Sequence, residues 1–357
     1  MSDDVLRSLL TPIGPSGYEG PAAAAFRAAC EPVSDDVATD HVGSTVASLG
    51  GSGGGLSTAV MGHIDEIGLI VSHIDDQGYL WFLQVGGWDP VILVGQRVWV
   101  VTAGGIRNGV VGKKPIHLME EEDRKKNPRL KDLHIDIGAR DGEEARSLVA
   151  IGDVAVIAAD PVDLPNGRLA ARAMDNRLGC YVAYETLRLL HAGEGGEGGE
   201  RPAGDVYGVA VTQEETTFQG SHTTSYSLSP DVALVIDVTH ATDAPGVDEK
   251  ENGRHPLGSG PAIVRGSSLS PRVFELLVEA AEAEAIPYTV EATGRFTGTD
   301  ADAVTLSRAG IPTGCIGVPL RYMHSPVEIV ELEDVHNTAR LCAAFARRLA
   351  PDTSFLR

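Results

Sequence analysis

Leu56-Ser57-Thr58-Ala59-Val60-Met61-Gly62-His63-Ile64-Asp65-Glu66-Ile67-Gly68 decides how the rest of the chain is read. The apolar run from Leu56 to Met61 has the length and texture of a buried strand. His63 and Asp65 follow at its end, two residues apart, so an imidazole and a carboxylate project to the same side of the chain. One can bind a metal while the other steers it. A lone His-x-Asp is a weak pattern, so the weight falls on what accompanies it.

Four more apolar elements lead to polar residues. Val206 to Thr212 ends at Gln213-Glu214-Glu215, and Val232 to Ile236 ends at Asp237. Thr313 to Val318 leads over a short loop to Met323-His324-Ser325, and Asp175 stands just before a helical stretch. In open α/β sheets the ligand crevice lies beyond the carboxyl ends of the strands, so parallel strands would bring all these residues to one edge. Singly, each has a bland reading. Asp237 is a helix cap or turn residue, Asp65 caps a turn, Glu-Glu is solvated surface charge, and a lone His is packed or exposed without a role. The ordered set of His, Asp, Glu-Glu, Asp and His is what argues for a site.

Two His with several carboxylates suit zinc, cobalt or manganese. A co-catalytic pair needs a carboxylate between two ions about 3.5–4 Å apart, and Asp175 is placed for it. Glu214 and Glu215 would point to opposite faces of a regular strand. Where the chain turns, one can ligate while the other handles a water proton.

The texture along the chain organises these motifs. From about Ile67 to Asp160 the sequence is rich in short strand-like runs: Leu69 to Ile74, Tyr79 to Val85, Arg97 to Val101, Gly109 to Gly112 and Val154 to Ala159. Glu143 to Leu148 is the one helical stretch there. On either side, strands alternate with helices at Pro21 to Cys30, Asn176 to His191, Pro271 to Ala285 and Leu332 to Leu349. The expected fold is therefore α/β, a mixed, largely parallel sheet sandwiched by helices, with a small β-domain inserted at 67–160 and a discontinuous main domain of 1–66 and 161–357. Ala192 to Gly204, rich in glycine and glutamate, is expected to be a solvated loop.

Composition bounds the function. The 357 residues carry a net charge of -21, which argues against nucleic acid and anionic membrane surfaces as partners. No apolar run approaches the ~20 residues of a membrane span, and no basic segment followed by an apolar one opens the chain. The four scattered cysteines read as reduced core residues of a cytoplasmic protein.

Read together, the motifs closely resemble the tetrahedral aminopeptidase family of co-catalytic metallopeptidases, which includes glutamyl and deblocking aminopeptidases and some relatives labelled endoglucanase. The resemblance rests on Gly-His-Ile-Asp-Glu-Ile-Gly (62–68), Ala-Met-Asp-Asn-Arg-Leu-Gly-Cys (173–180), Gln-Glu-Glu (213–215), Asp237 and Met-His-Ser-Pro-Val-Glu (323–328). Residues 114–118 and 132–139 resemble the family's inserted β-barrel domain, so the likeness spans nearly the whole chain. It implies two divalent ions (Zn, Co or Mn) per chain. His63 and Asp237 would hold one, Glu215 and His324 the other, and Asp175 would bridge them. Glu214 would be the general base, and Asp65 would orient His63. It also implies short peptide substrates and dimers, joined through the insert, that assemble into a dodecamer. Two segments depart from the family's pattern: Thr216 to Gly220 after the Glu pair, and Thr297 to Asp302, which lacks the first glycine of a Gly-Gly-Thr-Asp segment. Both are expected near the substrate pocket.

The expected function is an aminopeptidase. Another amide hydrolase on the same metals (a deacylase or carboxypeptidase) is the alternative enzyme, and an assembly protein retaining the fold is the non-enzymatic one. A glycosidase fits poorly, because its carboxylates must flank a sugar ring and the His residues would have no part.

Overall fold

In the computed structural model, residues 3–192 and 201–356 are described. Most of the expected acidic glycine-rich loop, 193–200, lies outside them. Three strands open the chain: β1 (Asp36–Thr39), β2 (Thr45–Leu49) and β3 (Thr58–His63). Six follow in the next segment: β4 (Gly68–Ile74), β5 (Leu80–Val85), β6 (Arg97–Thr102), β7 (Gly105–Lys113), β8 (Leu133–Asp136) and β9 (Val154–Ile157). The remainder holds β10 (Val162–Leu164), β11 (Arg168–Ala171), β12 (Val206–Val211), β13 (Val232–His240), β14 (Ala262–Gly266), β15 (Thr289–Thr293), β16 (Thr313–Leu320) and β17 (Glu328–Glu331).

Eight strands form one sheet in the order β1-β2-β12-β3-β13-β16-β14-β15. The central four, β12, β3, β13 and β16, are mutually parallel. On the flanks, β2 and β14 run antiparallel to their inner neighbours. The sheet is thus mixed, with a parallel heart, and its flanking strands were not legible in the sequence. The parallel strands are near-continuous apolar runs because both faces are covered.

One face packs against the helices Gly20–Cys30, Met174–Ala192, Pro271–Ala283 and Leu332–Arg348 around the largest apolar core. The other face carries a smaller core shared with residues such as Leu269, Ala301 and Val304. Gly62 shows why the first packing is close. A Cβ there would fall 2.4 Å from the Gly179 carbonyl carbon, so only glycine lets the helix Met174–Ala192 lie directly on β3. All four cysteines are buried and free. Among the described residues, no helix is long and apolar enough to cross a membrane.

The segment between β3 and β10 closes into a six-stranded antiparallel barrel, β4-β5-β8-β7-β6-β9, with its own core. Alternation explains it: Leu69 and Val71, Leu80 and Phe82, and Val98 and Val100 point inward in pairs. β8 escaped the sequence reading because it is four residues long, with only Leu133 and Ile135 turned to the core. A third sheet, β10-β11-β17, lies beside the end of β16.

Candidate active site

The seven singled-out residues converge. His63 is the last residue of β3 and Asp237 lies within β13. These strands are parallel neighbours, so both side chains leave the same end of the sheet. β12 stops at Val211, Gln213 takes a left-handed conformation at φ 59°, and the chain turns into the short helix Glu214–Thr217. That turn resolves the problem of adjacent glutamates, since neither needs to obey strand alternation. Asp175 sits at the irregular start of the helix Met174–Ala192, where it and Asn176 have non-helical backbone.

His63 Nε2 lies 3.1 Å from Asp175 Oδ1 and 3.7 Å from Glu214 Oε2. His324 Nε2 lies 3.2 Å from Asp175 Oδ2 and 3.4 Å from Glu215 Oε1. Asp175 therefore stands between the two imidazoles, one oxygen to each. Side-chain donor atoms of His63, Asp175 and Asp237 fall within 4.8 Å of one another, as do those of Asp175, Glu215 and His324.

Asp65 is fully buried behind His63, 3.4 Å from Nδ1, which is long for a hydrogen bond. Its oxygens also accept the backbone N–H groups of Glu214 at 3.2 Å and Glu215 at 3.1 Å. One carboxylate thus holds the glutamate turn against the end of β3.

The electrostatics show what the site lacks. A cleft of about 470 Å³ is lined by Asp175, Glu214, Glu215, Asp237 and Glu291, and by no lysine or arginine. Burial raises Glu214 to about 10, with His63 opposing and Asp237 adding to the shift. Burial also holds Asp237 well above the usual carboxylate range. Desolvation alone would lower His63, but Glu214, Asp175 and Asp65 outweigh it and hold the imidazole well above its ordinary value. His324 rises to about 11 in the same way, burial opposing and Asp175 and Glu215 winning. Asp175 goes the other way: burial raises it, but its hydrogen bonds to His324 and His63 pull it well below the carboxylate range. Among the described residues lining this cleft, the groups able to carry positive charge are the imidazoles. Oxygen and imidazole donors with surplus negative charge fit divalent cations, and Glu215 Oε1 is a buried oxygen without a hydrogen-bond partner.

Three further residues of these motifs, Glu328, Glu66 and Arg177, tie the surrounding segments together. Glu328, at the end of the 323–328 motif, accepts the N–H of His324 at 2.9 Å with one oxygen. With the other it accepts those of Met174 at 2.8 Å and Asp175 at 3.3 Å. It binds two site segments together. Glu66 pairs with Arg172 and, at 2.9 Å, with Arg177, all three buried. Arg177 also reaches the carbonyls of Leu9, Pro12 and Ile64. Residue type at a fixed place in each motif was the available signal. Asp300, in the loop that departs from the family's pattern, is buried with neither carboxylate oxygen hydrogen-bonded, and burial lifts it to about 7. Thr297, Gly298 and Thr299 of the same loop line the cleft, as does Phe218 of the other departing segment.

Ala173, Gln213, Phe218, Tyr322 and His324 all have positive φ and all flank the site. Each such conformation costs roughly 1–3 kcal/mol and persists only where the surroundings impose it. The strain is concentrated where the donors must converge.

The model of the M42 glutamyl aminopeptidases matches residues 43–341, which include every one of these donors. The chain belongs to the M42 glutamyl aminopeptidase family. It is an aminopeptidase, a hydrolase of peptide bonds, which sets the glycosidase and assembly-only readings aside. A lysyl aminopeptidase of Pyrococcus furiosus is 35% identical over 321 residues, 89% of each chain. An aminopeptidase structure from the archaeon Desulfurococcus kamchatkensis is similar at 37% identity, covering 98% of this chain and 95% of that one, with a TM-score of 0.89. The TET1 peptidase of Pyrococcus horikoshii, described as assembling into a tetrahedron or a large octahedral shell, is 31% identical with a TM-score of 0.84 and coverage of 97% and 99%.

Proposed function

We propose that this family member is a dinuclear aminopeptidase releasing N-terminal residues from short peptides. The observation that carries the reading is the pair of donor groups sharing Asp175. His63 and Asp237 would hold one divalent ion, Glu215 and His324 the other, with Asp175 common to both. Zinc, cobalt or manganese would polarise the scissile carbonyl and lower the pKa of a water at the site. Glu214, which lines the cleft beside the shared donor set, is placed to take a proton from that water and hand it to the leaving amine. Asp65 keeps His63 and the glutamate turn in place.

Elemental analysis of protein loaded with cobalt or zinc should find two ions per chain. Peptides with a free N-terminus should be cleaved, and N-acetylated ones not. Glu214→Gln should keep its metal and lose roughly 10²–10⁴ in kcat, whereas Glu215→Gln should weaken one metal site. Equal metal loss in both variants would refute the division of roles. Equal cleavage of N-acetylated peptides would favour the deacylase or carboxypeptidase alternative.

We assign 67–160 as an inserted domain that joins two chains into a dimer, and dimers into a dodecamer. The barrel exposes Ile106, Val110, Ile116 and Leu118, apolar side chains that a partner would cover. The free, buried cysteines fit a cytoplasmic location. Light scattering at micromolar concentration tests the assembly: a monomer mass would overturn it.

A further inference from the structure

We propose that Glu291 is the specificity-determining residue of the cleft and selects substrates whose N-terminal residue is basic, lysine or arginine. The inference rests on the aminopeptidase reading and deepens it by naming the side chain the cleft accepts.

Glu291 lies on β15, the outermost strand of the sheet, yet it lines the same cleft as the metal-donor set. Register explains the reach. Glu291 pairs with Val264 on β14, and Ala262 of β14 pairs with Gly317 on β16. Gly317 in turn pairs with Asp237 on β13. Partners in register project to one face, so Glu291 and Asp237 share the cleft side of the sheet. Three strand spacings of about 4.8 Å separate β15 from β13. The carboxylate leans back toward β16, where Gly317 presents no side chain. A Cβ on Gly317 would lie 3.5 Å from Glu291 Oε2 and 2.9 Å from Thr239 Cβ. The Glu291 carboxylate thus lies within contact of Gly317 on β16, the neighbour of the strand bearing Asp237. A lysine or arginine side chain whose α-carbon is held at the donor set can extend toward it.

The carboxylate is half-buried and has no salt bridge or hydrogen bond among the described residues. It is felt by buried His255, whose depression by burial it opposes. No lysine or arginine lines the cleft to neutralise it. Two divalent ions would engage Asp175, Glu215 and Asp237, but not Glu291. A substrate cation can. Phe218 and Met323, both half-buried in the lining, offer apolar surface to a lysine stem. A glutamyl side chain would instead meet a like charge.

The test compares lysyl, arginyl, leucyl and glutamyl 4-nitroanilides on the cobalt-loaded wild type and on Glu291→Gln. The wild type should give its highest kcat/KM with the basic substrates and its lowest with the glutamyl one. Glu291→Gln should lower kcat/KM for the basic substrates roughly 10–100-fold, the worth of one charge-assisted bond, and lower the leucyl value far less, so that the lysyl-to-leucyl ratio falls. Glu291→Arg should raise the glutamyl value. An equal fall on lysyl and leucyl substrates, or a wild-type preference for glutamyl, would overturn the proposal. If the loaded wild type cleaves none of the four, the aminopeptidase reading fails separately. Calorimetry with lysinamide and norleucinamide then still decides on Glu291. Tighter lysinamide binding in the wild type, lost in Glu291→Gln, upholds the role, and equal binding throughout refutes it.

Discussion

The barrel and the α/β sheet bury very different chemistry. Among the described residues, every buried polar or charged side chain lies outside 67–160. The barrel core is wholly apolar, and its alternating strands satisfy their backbone within a closed antiparallel ring. The α/β domain buries His63, Asp65, Glu66, Arg172, Asp175, Arg177, Asp237, Asp300 and Glu328. Such groups are tolerated there when they are paired, hydrogen-bonded or, like Asp300, shifted toward the neutral form. The contrast teaches that stability in the barrel is a matter of filling space. In the α/β domain it is bound up with the charges that serve the site.

Four substitutions test that contrast, from the largest effect down. Asp175→Ala removes the carboxylate between both imidazoles. It should abolish nearly all activity and both bound metals by elemental analysis. Two ions per chain in that variant would end the assignment of Asp175 as the shared donor.

Glu66→Ala leaves Arg172 and Arg177 buried without their shared partner. Breaking such a pair costs about 3–5 kcal/mol, so urea unfolding should show a large loss. A loss below about 1 kcal/mol, the worth of an exposed pair, would mean that water reaches the guanidinium groups.

Ile135→Ala opens a cavity in the barrel core at a fully buried position. It should cost about 2–5 kcal/mol while metal content stays at the wild-type level. Metal lost in proportion to stability would erase the division between the two regions.

Asp65→Asn is the mildest. A carboxylate supporting a ligating histidine is worth roughly 10–100-fold in metal affinity. Chelator competition should show that weakening with the unfolding midpoint little moved. Unchanged affinity would return Asp65 to a turn-capping role, tied only to the N–H groups of Glu214 and Glu215.

The site was more legible than the fold around it. His63, Asp65, Asp175, Glu214, Glu215, Asp237 and His324 could be named because each stands where an apolar run or a helix gives way to a polar residue, and the structure brings all seven together. The flanking strands β1, β2, β14 and β15 had no comparable mark. Asp36–Thr39 and Thr289–Thr293 are short, largely polar and exposed in places, and take their strand identity from the neighbour they pair with. Glu328 was visible in its motif but not its work, since its partners are backbone N–H groups up to 154 residues away.

By itself, the sequence determined the local elements that carry the donors, the change of texture that marks the barrel, and the residue types able to bind cations. Periodicity and strand-end chemistry are local and survive in one dimension. Only the tertiary structure decided that Asp175 stands between the two imidazoles, that Asp65 supports both β3 and the glutamate turn, and that Glu291 reaches the cleft over Gly317. Those relations depend on strand order and register. They join residues far apart in the chain, and neither spacing nor composition encodes the distance between them.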